Sequence, residues 1–345
     1  MQNYPDEITS VEQLEDMLST PTHEVIEYFS RLKGDILLLG VGGKIGPSLA
    51  RMAKRAADLA GVRTRVIGVS RFSSHDLPQT LEAHGIETIR GDLLDAQFLA
   101  KLPRVENVIF MAGKKFGSTE NVAQTWAMNA YLPGLVAEQF RESKIVAYST
   151  GCVYPFVNIH SGGAIEQTPP DAHGEYAQSC LGRERMFEYG SLKYHTPTVL
   201  IRLNYAVEMR YGILVDIAQK VRSEIPIDLT MGAVNMIWQG DANAIVLRAL
   251  DICDSPAKIL NVTGPETVLI RQVAKRFGEL YDIEPVFENK ESDTAWLSNA
   301  DQCQRLFGYP QVALDQVLFW TAKWIEKGLP TLDKPTHFET RNGEF

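Results

Sequence analysis

The sequence predicts an α/β protein built on a doubly wound parallel sheet with a smaller carboxy-terminal α/β lobe. The main observation is that six short apolar runs, from Asp35 to Leu203, alternate with stretches that have helical periodicity. The runs are DILLLG, TRVIGVS, IETIR, NVIFMA, KIVAYS and TVLIRL. Such alternation is typical of parallel sheets covered by helices. The second observation is that the rhythm becomes less regular after Asn204, which indicates a separate lobe.

The 345 residues divide into three predicted parts. We expect an amino-terminal helical appendage, a sheet domain and a mainly substrate-binding lobe over residues 1–33, 34–204 and 205–345, with returns to the sheet from 234–262. In the appendage, Ser10 precedes a first helix, and Thr20-Pro21 has the order of an N-cap followed by proline. The polar tail KPTHFETRNGEF is either an edge strand or a loose end.

Composition excludes several classes of function. The net charge is −9 and no basic stripe is present, so nucleic acid is not an expected partner. The four cysteines show no CxxC spacing and the first residues are acidic, which predicts a cytoplasmic protein with reduced thiols. The apolar runs are far shorter than the ~20 residues of a membrane span. The seven histidines show no HExxH motif, and we expect no metal site.

A glycine-rich turn follows the first apolar run directly. Gly40, Gly43 and Gly46 fit the spacing GxxGxxG, and a helical pattern begins after them. Glycines let the backbone approach a pyrophosphate, and the start of a helix offers free N–H groups to phosphate oxygens. The turn therefore predicts a dinucleotide site that includes Lys44 and Ile45; the alternative is a tight turn that binds nothing. A Walker A loop is excluded because Ile45 follows Lys44 in place of Ser or Thr.

The second apolar run ends in Val69-Ser70-Arg71, where a fold that binds NAD usually has a carboxylate for the ribose hydroxyls. Arg71 would instead pair with a 2′-phosphate, and Ser70 avoids charge repulsion. These residues favour NADP over NAD as the cofactor, with NAD as the alternative. A solvated Arg71 without a ligand is the other interpretation.

Two motifs resemble the extended short-chain dehydrogenase/reductase family, which includes sugar-nucleotide epimerases and dehydratases. Thr150 to Tyr154 resembles its (S/T)xxVY signature, and Tyr176 to Glu184 resembles its YxxSKxxxE helix, with Cys180 in place of the lysine. The resemblance implies a homodimer and a site with Thr150 and Tyr176 at the reacting oxygen. It also implies cofactor contacts at Asp92, Leu93, Ala112, Gly113 and Asn129, and substrate contacts at Lys114, Asn204 and Tyr205.

The cysteine at position 180 removes a charge that the chemistry uses. A lysine one turn after the tyrosine binds the nicotinamide ribose and favours tyrosinate, whereas an unassisted tyrosine of pKa ~10 is only about 0.1% ionised at pH 7. Three hypotheses stay open. Another cation, Lys114, Lys115 or Arg183, replaces the lysine; Glu175 or His173 handles the proton; or the protein binds the cofactor without turnover.

The expected function is that of an NAD(P)-dependent oxidoreductase, epimerase or dehydratase acting on a sugar-nucleotide or another carbohydrate-like hydroxyl. The alternative is a catalytically silent NAD(P)-binding protein with a regulatory role. The segment ESDTAWLSNADQ lacks the arginines that usually contact a diphosphate in this family, so Arg210 or Arg222 would have to supply that contact. Asp241 is expected to cap a helix.

Overall fold

The structure is a computed structural model that describes residues 4–343, and its centre is a seven-stranded sheet. The strands are β1 Ile36–Leu39, β2 Val66–Ser70, β3 Glu87–Arg90, β4 Asn107–Phe110, β5 Lys144–Thr150, β6 Thr198–Leu203 and β7 Lys258–Val262. They lie in the order β3-β2-β1-β4-β5-β6-β7, and every neighbouring pair is parallel. This order is that of a doubly wound, Rossmann-type sheet, so the predicted fold class is confirmed.

Helices cover both faces of the sheet. They are α1 Val11–Leu18, α2 His23–Arg31, α3 Gly46–Leu59, α4 Asp76–Ala83, α5 Ala96–Lys101, α6 Val122–Trp126, α7 Leu132–Gln139, α8 Gly174–Tyr194, α9 Ile213–Arg222, α10 Gln239–Ala249, α11 Ile270–Tyr281, α12 Asp301–Phe307 and α13 Leu314–Glu326. A π-helical turn, Ala127–Tyr131, joins α6 to α7. One apolar core lies between the sheet and α2, α3 and α10, and another lies between the opposite face and α5, α7 and α8. Within residues 4–343, no helix is long and apolar enough to span a bilayer.

The carboxy-terminal lobe has its own apolar core. Helices α9, α11 and α13 pack around the buried indoles of Trp320 and Trp324. Ile8 and two leucines of α1 join this core, whereas α2 packs on the sheet domain. The amino-terminal helices therefore connect the two halves of the chain. Short strand pairs complete the lobe and link it to the sheet domain, and they join 206–207 to 237–238, 233–234 to 268–269, 227–228 to 287–288 and 157–158 to 294–295.

Two of the predicted helix caps are wrong. Helix α2 begins at His23 and is capped by Thr22, whose Oγ accepts a hydrogen bond from the Val25 N–H at 3.3 Å, so Thr20 and Pro21 lie before the helix. Asp241 lies inside the first turn of α10, and its carboxylate accepts from the Val312 N–H at 3.1 Å. Desolvation raises the pKa of Asp241 to about 6. Its contact with a distant segment could not be read from local sequence.

Candidate functional site

The glycine turn lies at the carboxyl end of β1, beside the point where the strand order reverses. Gly40 has a φ of +99°, a conformation that side chains other than glycine rarely adopt. Gly46, at the start of α3, lies so close to the Val41 carbonyl that any Cβ would overlap it. Gly43 is exposed, and a Cβ built there would meet only the Gly40 carbonyl, at 3.5 Å. The turn is thus closed against the protein and open where a phosphate would approach.

Lys44 places a positive charge beside this turn. Its ammonium donates to the Ala206 carbonyl at 3.0 Å and lies 4.1 Å from the centre of the Tyr211 ring. Desolvation lowers the pKa of Lys44 to about 8, and Glu208 acts in the opposite direction. The side chain therefore crosses from the glycine turn to the segment that follows β6. Ile45 is the residue before α3, and the first N–H groups of that helix have no partner within the helix.

The ends of β2 and β3 lie along the same edge. Ser70 lies against Gly42, and its hydroxyl accepts from the Phe72 N–H at 3.3 Å. Arg71 is exposed to solvent. Asp92 is also exposed and its carboxylate accepts from the Leu94 N–H at 3.0 Å, whereas Leu93 is buried. The structure brings these residues to the same edge of the sheet, where Arg71 is exposed.

The segment after β4 is held by one buried amide. Asn129, in the π-helical turn, accepts from the Lys114 N–H at 2.8 Å and donates to the Lys114 carbonyl at 2.8 Å. The same amide donates to the Ser179 hydroxyl on α8 at 3.0 Å. Ala112 packs against Gly40, and Gly113 is exposed. Asn129 therefore fixes the strand-end loop against the helix that carries Tyr176. Lys114 contributes its backbone to this contact.

Thr150 and Tyr176 meet at the carboxyl end of β5. The Thr150 side chain lies beside the Tyr176 phenol, and its hydroxyl accepts from the Cys152 N–H at 3.2 Å. Desolvation raises the pKa of Tyr176 well above its ordinary value, while the Arg183 charge and the Thr150 hydrogen bond lower it. At neutral pH the phenol is therefore protonated and aligned with a second hydroxyl.

Cys180 is fully buried one turn beyond Tyr176. Desolvation raises the pKa of its thiol to about 11, while the Arg183 charge and the neighbouring Tyr176 act in the opposite direction. Desolvation also raises the pKa of the nearby Cys152. Both thiols are thus neutral, which does not fit a nucleophilic cysteine.

Two cations lie near the tyrosine. The Lys115 ammonium is 6.0 Å from the centre of the Tyr176 ring, and desolvation lowers its pKa. The Arg183 guanidinium is buried beside the end of β5 and donates to the Tyr148 carbonyl at 2.8 Å.

Glu175 and His173 are directed elsewhere. The Glu175 carboxylate accepts from the Trp126 indole at 2.6 Å, and the exposed His173 stacks on Phe156 with ring centres 5.9 Å apart.

Asn204 and Tyr205 follow β6, where the lobe begins. Asn204 is buried, and its amide donates to the Asn235 side chain at 3.0 Å and to the Trp296 carbonyl at 3.3 Å. It therefore joins the sheet domain to the lobe, and contact with a substrate stays a prediction for it. Tyr205 has a φ of +41° and is partly exposed, and desolvation raises its pKa well above its ordinary value.

The polar tail packs against the lobe and against segments next to Tyr176. Thr336 donates two hydrogen bonds to Asp216 of α9, at 2.5 and 2.8 Å, and its carbonyl accepts from the Lys115 ammonium at 3.4 Å. Farther along, the Arg341 guanidinium lies 4.1 Å from the Phe156 ring, and the Gly343 backbone packs against that of Gly174. Residues 334–343 are thus neither an edge strand nor a loose end, and residues 344 and 345 of the tail lie outside the described part of the chain. We call residues 334–343 the strap, and it binds the lobe to the Lys115 segment and to the segments that carry Phe156 and Gly174.

A buried ion pair joins α8 to β6 next to Thr150. The Glu184 carboxylate, fully buried on α8, accepts from Arg202 of β6 at 2.7 and 3.0 Å. It also accepts from the Ser149 hydroxyl at 2.5 Å, next to Thr150. The sequence resemblance included Glu184, but local sequence did not show that it pairs with Arg202. Within residues 4–343, no group of three or more His, Cys, Asp or Glu side chains is placed to hold a metal ion.

Solved structures similar to this chain include three sugar-nucleotide enzymes. A UDP-glucose 4-epimerase from Thermotoga maritima, solved with UDP-glucose, is 18% identical, with a TM-score of 0.71 over 85% of this chain and 99% of that one. A UDP-glucuronic acid 4-epimerase from Bacillus cereus in complex with NAD is 17% identical, with a TM-score of 0.70 over 85% and 99%. A dTDP-glucose 4,6-dehydratase from Bacillus anthracis in complex with NAD is 16% identical, with a TM-score of 0.70 over 85% and 96%.

These likenesses establish a shared fold. At 16–18% identity they do not extend to activity. No family model matches the chain, and no curated protein sequence matches it. Function must therefore be argued from the site itself, where an open glycine turn and the neighbouring hydroxyls of Thr150 and Tyr176 lie along one edge of the sheet.

Proposed function

We propose that the protein binds a nicotinamide dinucleotide along the carboxyl edge of the sheet and acts as an oxidoreductase, epimerase or dehydratase on a carbohydrate-like hydroxyl. The observation that carries the proposal is that Thr150 and Tyr176 lie next to each other at the same sheet edge as the glycine turn. Tyrosine and a second hydroxyl are suited to exchange a proton with a substrate oxygen. The folds of enzymes described with NAD and UDP-glucose support the same cofactor and substrate classes.

The adenosine diphosphate half of a dinucleotide fits this chain. At Gly43 a Cβ would occupy part of the open space that a phosphate would need, and the desolvated ammonium of Lys44 lies nearby. The amino-terminal end of α3 adds free N–H groups and the positive end of a helix dipole. For phosphates to use its charge, Lys44 must leave the Ala206 carbonyl.

The chain's own residues handle the proton. When bound, the cofactor would accept or supply a hydride. Because burial favours its neutral form, Tyr176 is prepared to donate a proton at neutral pH, and Thr150 orients the oxygen that receives it. In the oxidising direction Tyr176 must accept a proton instead, so that direction depends on nearby positive charge.

The choice between NADP and NAD rests on two side chains. Arg71 is exposed at the end of β2 and no carboxylate lies at Ser70, which supports a preference for NADP. The similar structures described with a cofactor contain NAD. Titration of the protein with each nucleotide tests this preference, and tighter binding of NAD that survives Arg71→Ala would overturn it.

The range of candidate substrates is broader than the sugar nucleotides that the similar structures contain. Arg210 is paired with Glu15 at 2.7 Å and with Glu208 at 3.2 Å, and Arg222 donates to the Ile325 carbonyl. Both arginines that were expected to bind a diphosphate thus have partners within the chain. A free sugar, a sugar acid or another polyol therefore belongs in any substrate panel beside the sugar nucleotides.

A second function is favoured by a specific observation. Position 180 carries a neutral thiol in place of the lysine, and the strap is hydrogen-bonded to Lys115 near Tyr176, as would suit a cofactor-binding protein without turnover. Incubation with NADP or NAD and a panel of sugar nucleotides and aldonic acids separates the two functions. A change in nicotinamide absorbance or an epimerised product, abolished by Tyr176→Phe, supports the enzyme. Cofactor binding without any product supports the regulatory protein.

A further inference from the structure

Helix α8 has two positions from which a side chain can lie beside Tyr176 on the same face. They are position 180, one turn on, and position 183, two turns on. Cys180 is short and neutral. Side chains on a helix lean toward its amino terminus, so a long side chain covers the turn before its own residue. Arg183 should therefore extend over the turn that contains position 180.

Hydrogen bonds show that it does. The Arg183 Nη2 donates at 2.8 Å to the Asn129 Oδ1, and the Nδ2 of the same amide donates at 3.0 Å to the Ser179 hydroxyl. The Arg183 Nη1 donates at 2.8 Å to the carbonyl of Tyr148, two residues before Thr150. The guanidinium thus lies at the level of residues 179 and 180, between α8 and the end of β5.

The charge of Arg183 has no carboxylate partner. Its side chain is buried, yet among residues 4–343 no carboxylate oxygen lies within the 4.0 Å of an ion pair. Its Nε is buried without a hydrogen-bond partner. Arg202, equally buried, is paired with Glu184. A buried cation without a counter-charge destabilises the fold, so its presence here points to a functional use.

The surrounding residues leave space for the guanidinium. A Cβ on Gly113 would lie 2.5 Å from the Arg183 Nη2, so a larger residue at this position would displace the side chain. Because the Cys180 side chain is small, it leaves room for the Arg183 guanidinium at its own turn of α8. Arg183 also lies against the Phe110 ring, with 5.6 Å between the guanidinium carbon and the ring centre. The glycine, the cysteine and the phenylalanine together shape a site for one arginine.

We propose that Arg183 replaces the absent lysine as the positive charge that acts on Tyr176, with Asn129 and the Tyr148 carbonyl holding it in place. It is a positioning residue, because it acts through the tyrosine, and the inference rests on the proposed function only in assigning the proton to Tyr176. Its charge lowers the pKa of Tyr176 and of Cys180, against the desolvation that raises both. Lys115 is the rival cation, and its ammonium is bound to the strap.

The test is a titration of Tyr176 in the full chain without cofactor. A fluorinated tyrosine is incorporated at position 176, because its phenol ionises at lower pH, and fluorine NMR reports the midpoint. Arg183→Met should raise the midpoint by about one pH unit or more, and Arg183→Lys should raise it less. Arg185→Met is the matched control, since Arg185 is exposed on the same helix and paired with Glu188. Its midpoint should stay unchanged.

A double variant guards against a loss of packing. Cys180→Lys combined with Arg183→Met restores a charge on this face, and should return the midpoint toward that of the parent protein. A folded Arg183→Met variant whose midpoint equals the parent's, or lies below it, overturns the proposal. So does a Lys115→Met variant that raises the midpoint more than Arg183→Met. Neither result depends on turnover. If the protein bound no pyridine nucleotide, the proposed function would be refuted, but the titration of Tyr176 would still test the role of Arg183.

Discussion

The buried pair of Glu184 and Arg202 allows a stability prediction with a magnitude. The Glu184 side chain is 0% exposed and that of Arg202 is 1% exposed, with 2.7 Å between the charged atoms. Glu184→Gln keeps the shape of the side chain but leaves the guanidinium buried without an anion. Removal of one partner from such a pair costs about 3–5 kcal/mol. Unfolding entropy of about 2.1 cal/mol/K per residue converts this to a fall in Tm of about 4–7 °C, if the 345 residues unfold together.

Differential scanning calorimetry provides the assay, and the chain provides a control. Glu188 pairs with Arg185 at 2.7 Å on the same helix, but Arg185 is 52% exposed, so Glu188→Gln should change stability by less than about 1 kcal/mol. Replacing both Glu184 and Arg202 by methionine should cost less than either single loss of charge, because no ion is then left unpaired. A Glu184→Gln variant whose Tm matches that of Glu188→Gln would refute the claim that this pair is excluded from solvent.

Three further predictions concern the cleft and the strap. The Gly43→Ala variant should keep nearly its full stability and should lose dinucleotide affinity in titration calorimetry. Gly46→Ala should instead lower the Tm, because its Cβ overlaps the Val41 carbonyl. If the two variants changed Tm and affinity equally, the roles assigned to these glycines would be contradicted. Lys44, whose pKa is about 8, must be protonated to attract phosphate, so dinucleotide affinity should fall as the pH rises through 8. At pH 9 the affinity should be about tenfold weaker than at pH values where Lys44 is fully protonated. Lys44→Met should abolish this pH dependence. Asp216→Ala removes the acceptor of two hydrogen bonds from Thr336. Hydrogen–deuterium exchange in residues 332–343 should therefore accelerate about tenfold or more, while exchange in the sheet stays unchanged. A strap that stays protected from exchange would show that other contacts hold it.

The sheet could be predicted because its signals are local. Each of the first six strands is an apolar run bounded by turn residues, and the glycine turn joins one of them directly to a helix. The seventh strand lies within residues 234–262, where a return to the sheet was expected. The error at Thr20 was also local, because Thr22 offers the same hydroxyl two residues later.

The candidate site was predicted less completely, because much of it depends on contacts between distant segments. Local sequence offered Arg183 as one of three cations, but could not show that Asn129 holds its guanidinium at the turn of Cys180. The route of the strap depends on its bonds to Asp216 and Lys115, which come from two other parts of the chain. Polar residues in a terminal segment carry no periodic signal for such a path.

The central claim is that the turn from Gly40 to Gly46 holds the phosphates of a nicotinamide dinucleotide whose reactive ring lies beside Thr150 and Tyr176. Titration calorimetry of the intact protein with NADP and NAD tests it most directly. The account predicts saturable binding of at least one nucleotide, weakened by Gly43→Ala. Absence of heat and of any thermal stabilisation with either nucleotide, for a sample shown to be folded, would contradict it.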